Sequence, residues 1–237
     1  MANCTIKQIP NAITSCNLIC GCIAVGFAMH EHYPSALLFI ILGAVFDFFD
    51  GMSARLLHVS SDIGKELDSL ADDVTFGVAP ASMVFSICKT CTYPSFIGDL
   101  SLYLPYLAFI MAAFSAIRLA KFNLDTRQTT SFIGLPTPAN ALFWGALIVA
   151  HQRTFTDGQN EWFGIGLLLG TFIFSYLLVA DIPMFALKFK NLKWTDNKIK
   201  YIFILTSILL ILILGISGIS AIILWYIILS VFTQNKK

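Results

Sequence analysis

The stretch DFFDGMSAR, residues 47–55, ends an apolar segment with two carboxylates, those of Asp47 and Asp50. Two more, Asp68 and Asp72, open the next apolar segment. Residues three or four apart share a face of a helix, so each pair would point in one direction. A carboxylate at the centre of a membrane helix costs about 2.5–3.5 kcal/mol on insertion scales. A divalent cation would offset that cost, and oxygen-only ligands favour Mg²⁺, Mn²⁺ or Ca²⁺.

The composition indicates a membrane protein. Of the 237 residues, 57% are hydrophobic and 12% are charged, whereas soluble domains carry about 25% charged residues. The mean hydropathy is +0.77. The net charge of +1, without a basic cluster interleaved with aromatic residues, predicts no nucleic-acid partner.

Hydropathy predicts an all-α polytopic membrane protein with about eight transmembrane helices in a single domain, residues 1–237. The predicted spans are roughly 12–29, 34–54, 67–87, 101–121, 133–151, 162–181, 199–215 and 218–233. Residues 5–11 are expected to form a short interfacial segment in which Pro10 begins or ends a helix. The last two spans are separated only by a turn near Gly215–Gly218, and they could be separate helices or one long hairpin.

Basic residues predict the orientation of the chain. With the N-terminus inside, the inner segments hold thirteen of the fifteen lysines and arginines, and only Lys89 and Arg153 lie outside. The acidic stretch should therefore face the cytoplasm. On the predicted outer loop, Cys88 and Cys91 form a C-x-x-C that could close a disulfide. Without a second pair of ligands, this motif is only a weak indication of a metal site.

The pattern D-x2-D-G-x2-A-R-x8-G-x3-D-x3-D, residues 47–72, resembles the signature of the CDP-alcohol phosphotransferase family at every fixed position. The resemblance implies that Asp47, Asp50 and Asp68 bind a divalent cation, Mg²⁺ or Mn²⁺, with two ions in each active site. It also implies that Asp72 is both a metal ligand and the general base. Its place one turn beyond Asp68 agrees with this role. Asp73 lies outside the pattern and is expected to be structural.

The family resemblance also implies a binding site for CDP-diacylglycerol. Gly51, Ala54 and Gly64 would allow close approach of the nucleotide to the backbone. The residues expected to bind CDP-diacylglycerol are Gly51, Ala54, Arg55, Gly64, Asn11 and Thr14. For Asn11 and Thr14 a helix cap is an equally good interpretation.

Residues 116–123 and 132–140 resemble the branch of the family whose acceptor alcohol is L-serine. A serine pocket needs a cation and polar groups, and the candidates for the serine or a lipid phosphate are Arg118, Lys121, Asn123 and Asn140. Alternatively, Arg118 could pair with Asp73, and Lys121 could extend to the lipid headgroups. The resemblance further implies a homodimer in a prokaryotic cytoplasmic membrane.

Two other functions are compatible with parts of the pattern. Another branch of the family would use glycerol phosphate, inositol phosphate or choline, and a phosphate-bearing acceptor would favour a denser basic pocket, to which Arg127 could contribute. A metal or proton transporter would instead place acids near the middle of several spans. Here the acids cluster at one face.

Overall fold

The computed structural model describes residues 2–59, 61–124, 132–154, 161–184 and 194–234. Within these ranges the α-helices are α1 (Ala2–Met29), α2 (Tyr33–Leu56), α3 (Asp62–Asp72), α4 (Ala79–Thr90), α5 (Ile110–Leu124), α6 (Thr137–Thr154), α7 (Phe163–Val179), α8 (Trp194–Leu214) and α9 (Ser217–Gln234). A π-helix, Asp73–Val78, joins α3 to α4, and 3₁₀ helices cover Ser95–Leu102 and Leu104–Phe109. Two short strands, β1 (Phe132–Ile133) and β2 (Pro183–Met184), pair in antiparallel fashion.

The fold confirms the prediction of an all-α polytopic membrane protein. Among the described residues, five helical segments are long and apolar enough to cross a membrane: Gln8–Met29, Tyr33–Leu56, Asp62–Thr90, Leu104–Leu124 and Asn197–Leu214. Two further apolar helices, Phe163–Val179 and Ser217–Phe232, are shorter. The predicted fifth span corresponds to α6, and all eight predicted spans coincide with helices to within a few residues.

The prediction that Pro10 begins or ends a helix within residues 5–11 is wrong, because α1 runs without interruption from Ala2 to Met29 and contains Pro10 in its interior. A proline inside a helix removes one backbone hydrogen bond. Here that bond lies near the start of the helix, and packing of α1 along α2 keeps the helix continuous. Pro10 is buried, and its carbonyl lies 3.0 Å from the Thr14 hydroxyl that donates to it.

The second half of the motif, with Asp68 and Asp72, lies on one continuous helical segment that begins at Asp62. Ser61 caps its start, with Oγ accepting a hydrogen bond from Gly64 N at 3.0 Å. After Asp72 the segment passes through the π-helix, where Thr75, Phe76 and Gly77 are buried. Phe76 belongs to the main apolar core, which α4 and α6 also line.

Close packing joins α1, α2 and the π-helix at Thr75. A Cβ added at Gly43 would stand 2.5 Å from Thr75 Cγ2 and 2.9 Å from Asn17 Oδ1. The Thr75 hydroxyl donates to the carbonyl of Asn17 at 3.0 Å. Glycine is therefore required at this position by the close approach of the helices.

The last two predicted spans are separate helices. Gly215, with a φ of 58°, lies in the turn between α8 and α9, and the two helices pack side by side. Ser220 joins α9 to α6 by donating to the carbonyl of Phe143 at 2.9 Å. Among the described residues, α8 contacts little besides α9, and it leaves most of its surface exposed.

Candidate active site

Three carboxylates of the motif converge at the ends of α2 and α3. One oxygen from each of Asp47, Asp50 and Asp68 lies within 4.8 Å of the other two. Asp50 is buried, and Asp68 Oδ1 is a buried oxygen without a hydrogen-bond partner in the described structure. Such a set of acidic oxygens fits a hard divalent cation, which prefers oxygen ligands.

Asp72 lies one helical turn beyond Asp68 and outside the group of three. It is buried, and its carboxylate is close enough to experience the charges of Asp47, Asp68 and Asp50. Its Oδ1 accepts a hydrogen bond from Asn17 Nδ2 at 3.0 Å. The structure therefore gathers all four acids of the motif into one electrostatic unit and contributes an amide from α1.

Helix α1 also reaches the acidic group through Thr14. Its Oγ lies 2.6 Å from Asp50 Oδ2 and 3.0 Å from the carbonyl of Pro10, so one hydroxyl proton serves two acceptors. The helix-cap interpretation of Asn11 and Thr14 is wrong, because both residues lie well inside α1. Their polar side chains face the site and do not cap the helix terminus.

A cavity of about 670 Å³ opens beside the acidic group. Five of the residues predicted to bind the nucleotide lipid line it: Asn11, Thr14, Gly51, Ala54 and Gly64. A Cβ at Gly51 would meet open space, whereas a Cβ at Gly64 would stand 2.8 Å from Asn11 Oδ1. Gly51 therefore faces the cavity, and Gly64 allows α3 to approach the side chain of Asn11.

Arg55 is not among the residues that line this cavity. Its side chain is exposed, and Nε donates to the carbonyl of Gly51 at 3.0 Å. The cation at the cavity wall is instead Lys65, whose Nζ also lies 3.1 Å from the carbonyl of Asn123. Lys65 lies on α3, and its position ahead of an apolar segment predicts only a solvated side chain.

Arg118 occupies a buried position on α5, with 7% of its surface exposed. Its Nε has no hydrogen-bond partner in the described structure, and its electrostatic neighbours are Asp72 and Tyr226. The alternative ion pair between Arg118 and Asp73 does not form in the described structure. Asp73 Oδ1 instead lies beside Ser115 and Gly77. A cation is thus held next to the acidic group without a full set of partners.

The other candidates for the acceptor site occupy different environments. Asn140 at the start of α6 is fully buried, and both polar atoms of its amide lack a partner in the described structure. Asn123 donates from Nδ2 to Ser69 Oγ at 2.8 Å and so joins the end of α5 to α3. Lys121 is exposed at the end of α5. Arg127 lies outside the described residues.

The C-x-x-C pair does not form a disulfide, since both thiols are free. Cys91 Sγ donates to the carbonyl of Ile87 at 3.2 Å, and Cys88 Sγ lies 3.9 Å from the carbonyl of Gly164. Burial raises the pKa of the Cys91 thiol to about 11. Neither thiol is set up for redox or metal chemistry in this arrangement.

Two buried residues near the acids, Asn17 and Thr75, were not predicted from the sequence. Asn17 and Thr75 connect α1, α2 and the π-helix around Asp72. The available signal was the amide of Asn17 inside an apolar span, three residues from Thr14. Polar side chains within membrane segments generally face the interior of the bundle.

Most of the chain is similar in sequence to known proteins. Residues 7–173 match the family model described as CDP-alcohol phosphatidyltransferase. The chain belongs to this family. It is 41% identical over 177 residues to the CDP-diacylglycerol–serine O-phosphatidyltransferase of Bacillus subtilis, an alignment that covers 75% of this chain and 89% of the relative. The enzyme of the same name from Helicobacter pylori strain J99 is 29% identical over 96% of both chains, and that of Saccharomyces cerevisiae is 38% identical over 62% of this chain and 53% of the relative.

Family membership excludes the alternative of a metal or proton transporter. The protein is a membrane-embedded transferase of phospholipid biosynthesis. Members of the family use divalent cations, and the group of Asp47, Asp50 and Asp68 could hold one.

Proposed function

We propose that this protein transfers the phosphatidyl group of CDP-diacylglycerol to L-serine, which gives phosphatidylserine and CMP. The observation that carries the proposal is the convergence of four motif carboxylates beside a cavity and close to the buried, under-partnered Arg118. The relatives named for this reaction support the same choice of acceptor.

In this proposal the cavity holds the cytidine diphosphate part of the donor lipid. Gly51 and Ala54 admit it to the surface of α2, while Asn11 and Thr14 present polar groups from α1. Asp47, Asp50, Asp68 and Asp72 would hold two divalent cations, Mg²⁺ or Mn²⁺, which when bound neutralise charge on the diphosphate. Arg55 and Lys65 supply further positive charge at the rim of the site.

Asp72 acts as the general base. The hydroxyl of serine gives its proton to the Asp72 carboxylate as the oxygen forms a bond to the phosphorus of the phosphatidyl group. The bond from that phosphorus to the bridging oxygen breaks, and CMP leaves with the electron pair. Asp72 suits this role because it lies beside the acidic group yet is hydrogen-bonded only on Oδ1 by the described residues.

The acceptor lies between Asp72 and Arg118. The guanidinium of Arg118 would pair with the serine carboxylate, and Asn140 would use its unpartnered amide for the polar groups of the amino acid. Lys121 and Asn123 lie farther along the end of α5, where they would bind lipid phosphate or fix α3. A zwitterionic acceptor suits a single buried cation of this kind.

The decisive experiment is release of CMP from CDP-diacylglycerol by the purified protein, with serine, glycerol phosphate, inositol phosphate and choline as acceptors. We expect turnover with serine alone. Arg118→Ala should raise KM for serine more than it lowers kcat, because the carboxylate contact exists in ground and transition states alike. Turnover with another alcohol and none with serine would contradict the acceptor assignment.

We further propose that the site opens to the cytoplasm of a prokaryotic cell and that the single domain, residues 1–237, works as a homodimer. Basic residues supply the argument for orientation, and family resemblance supplies that for the dimer. A Glu66→Cys variant, in a background without native cysteines, should react with an impermeant reagent only from inside sealed vesicles. Labelling from outside would reverse the topology, and a monomeric mass in detergent would contradict the dimer.

A further inference from the structure

Asn17 is fully buried in the middle of α1 and directly contacts the proposed base. Its Nδ2 lies 3.0 Å from Asp72 Oδ1, across 55 residues of sequence. The carboxylate requires a donor at this point, which fixes the amide with nitrogen toward Asp72 and Oδ1 turned away. Asn17 belongs neither to the acidic motif nor to the cavity wall, where α1 contributes Asn11 and Thr14.

The position of Asn17 is fixed from two sides. Its backbone carbonyl accepts the hydroxyl of Thr75 at 3.0 Å, and Gly43 leaves just enough space for Asn17 Oδ1 and the methyl group of Thr75. Thr75 lies one turn beyond Asp72 on the same helical segment. The amide and the carboxylate are therefore held by one rigid arrangement and cannot separate independently.

We propose that Asn17 is a positioning residue of the reaction. By binding Asp72 Oδ1 it sets the orientation of the carboxylate and leaves Oδ2 to receive the proton of the acceptor alcohol. This inference rests on the proposed role of Asp72 as the base. Asn17 acts through Asp72, so it contributes to kcat and leaves the binding of both substrates unchanged.

The test is Asn17→Leu, which keeps the number and branching of the side-chain heavy atoms and removes the donor. We expect kcat to fall by about 10- to 100-fold, the usual loss when the hydrogen-bond partner of a site residue is removed. KM for serine and for CDP-diacylglycerol, and the affinity for CDP, should stay within about twofold, as expected for a purely transition-state effect. Asn17→Ala provides a second donor-free variant should Asn17→Leu fail to fold.

The matched control is Cys20→Ala, which trims another buried side chain one turn along α1 without touching Asp72. It should retain wild-type kcat. An equal loss of kcat in the control, or a parallel rise in KM in the Asn17 variants, would reduce Asn17 to a packing residue and overturn the proposal.

A double-mutant cycle separates this inference from the proposed function. In an Asp72→Asn background, Asn17→Leu should have no further effect, because the group it positions is already gone. A full additional loss in that background would show that Asn17 acts elsewhere. Wild-type turnover in Asn17→Leu, together with an inactive Asp72→Asn, would overturn the inference alone. Wild-type turnover in Asp72→Asn would overturn the base assignment.

Discussion

The segment Asp62–Thr90 and the helix segment Asn197–Leu214 are both long enough to cross a membrane, yet they differ in burial and in hydropathy. In the first, 67% of the most apolar window is buried inside the protein and the mean hydropathy is 1.2. In the second, 11% is buried and the mean hydropathy is 1.9. Polar groups are tolerated in the first because the other helices, and not lipid, surround them.

The comparison separates a segment that holds motif carboxylates inside the protein from a segment whose surface is mostly exposed. The family model ends at residue 173, so it contains the first segment and stops before the second. A sequence change in the first segment alters contacts with several helices, whereas a change in α8 alters chiefly an exposed apolar surface.

The largest effect is expected from the acidic group. Asp68→Asn should lower kcat by at least about 100-fold, the usual scale for loss of one group that stabilises transition-state charge. Asp47→Asn and Asp50→Asn should behave similarly, because the three oxygens converge within 4.8 Å. CMP release by the purified variants measures this. Glu66→Gln, an exposed neighbour on α3, is the control and should keep full activity, whereas equal losses would contradict a local role for Asp68.

A second effect is expected where α1, α2 and the π-helix meet. Gly43→Ala adds a Cβ 2.5 Å from Thr75 Cγ2 and should destabilise the protein by about 1–3 kcal/mol through overpacking. Gly26→Ala on α1 is the matched control, since its Cβ meets nothing within 4 Å. Thermal unfolding in detergent should separate the two variants, and identical midpoints would refute the close approach.

A third and smaller effect is expected at the cavity. A side chain at Gly51 has open space, so Gly51→Ala should not lower thermal stability. It should raise KM for CDP-diacylglycerol a few-fold by narrowing the approach to α2. Gly166→Ala on α7, where the Cβ is equally free, controls for the loss of backbone freedom. An unchanged KM in both variants would place the nucleotide elsewhere.

The smallest effect is expected on α8. Leu212 is 78% exposed, and Leu212→Ala should change stability by less than about 0.5 kcal/mol. Met83 on α4 is fully buried, and Met83→Ala should cost about 2–5 kcal/mol. Thermal unfolding of both variants measures the contrast. A large loss for Leu212→Ala would mean that protein, such as a second copy of the chain, covers α8.

The sequence predicted the features that depend on local pattern. Hydropathy located the helices, and the fixed spacing of the motif identified Asp47, Asp50 and Asp68, which the fold brings together. Contacts between distant parts of the chain could not be read in the same way. Asn17 meets Asp72 and Thr75 only because three helices pack closely at Gly43.

The error at Pro10 has a similar cause. Proline is a sound local signal for the end of a helix, but packing of α1 along α2 outweighs the loss of one hydrogen bond near the helix start. Arg118 shows the converse case. Its residue type indicated an anion partner, while its burial beside Asp72 became evident only in the fold.

The π-helix at Asp73–Val78 gives this segment one place where its length can change. A π-turn closes hydrogen bonds over five residues and therefore holds more residues than an α-turn. Removing one residue there would restore regular α-helix and leave α4 facing nearly the same way relative to Asp68 and Asp72. A deletion within α4 would instead turn every residue after it by about 100° and move buried side chains out of the core. Single-residue deletions within 73–78 should thus be better tolerated than deletions within 79–90.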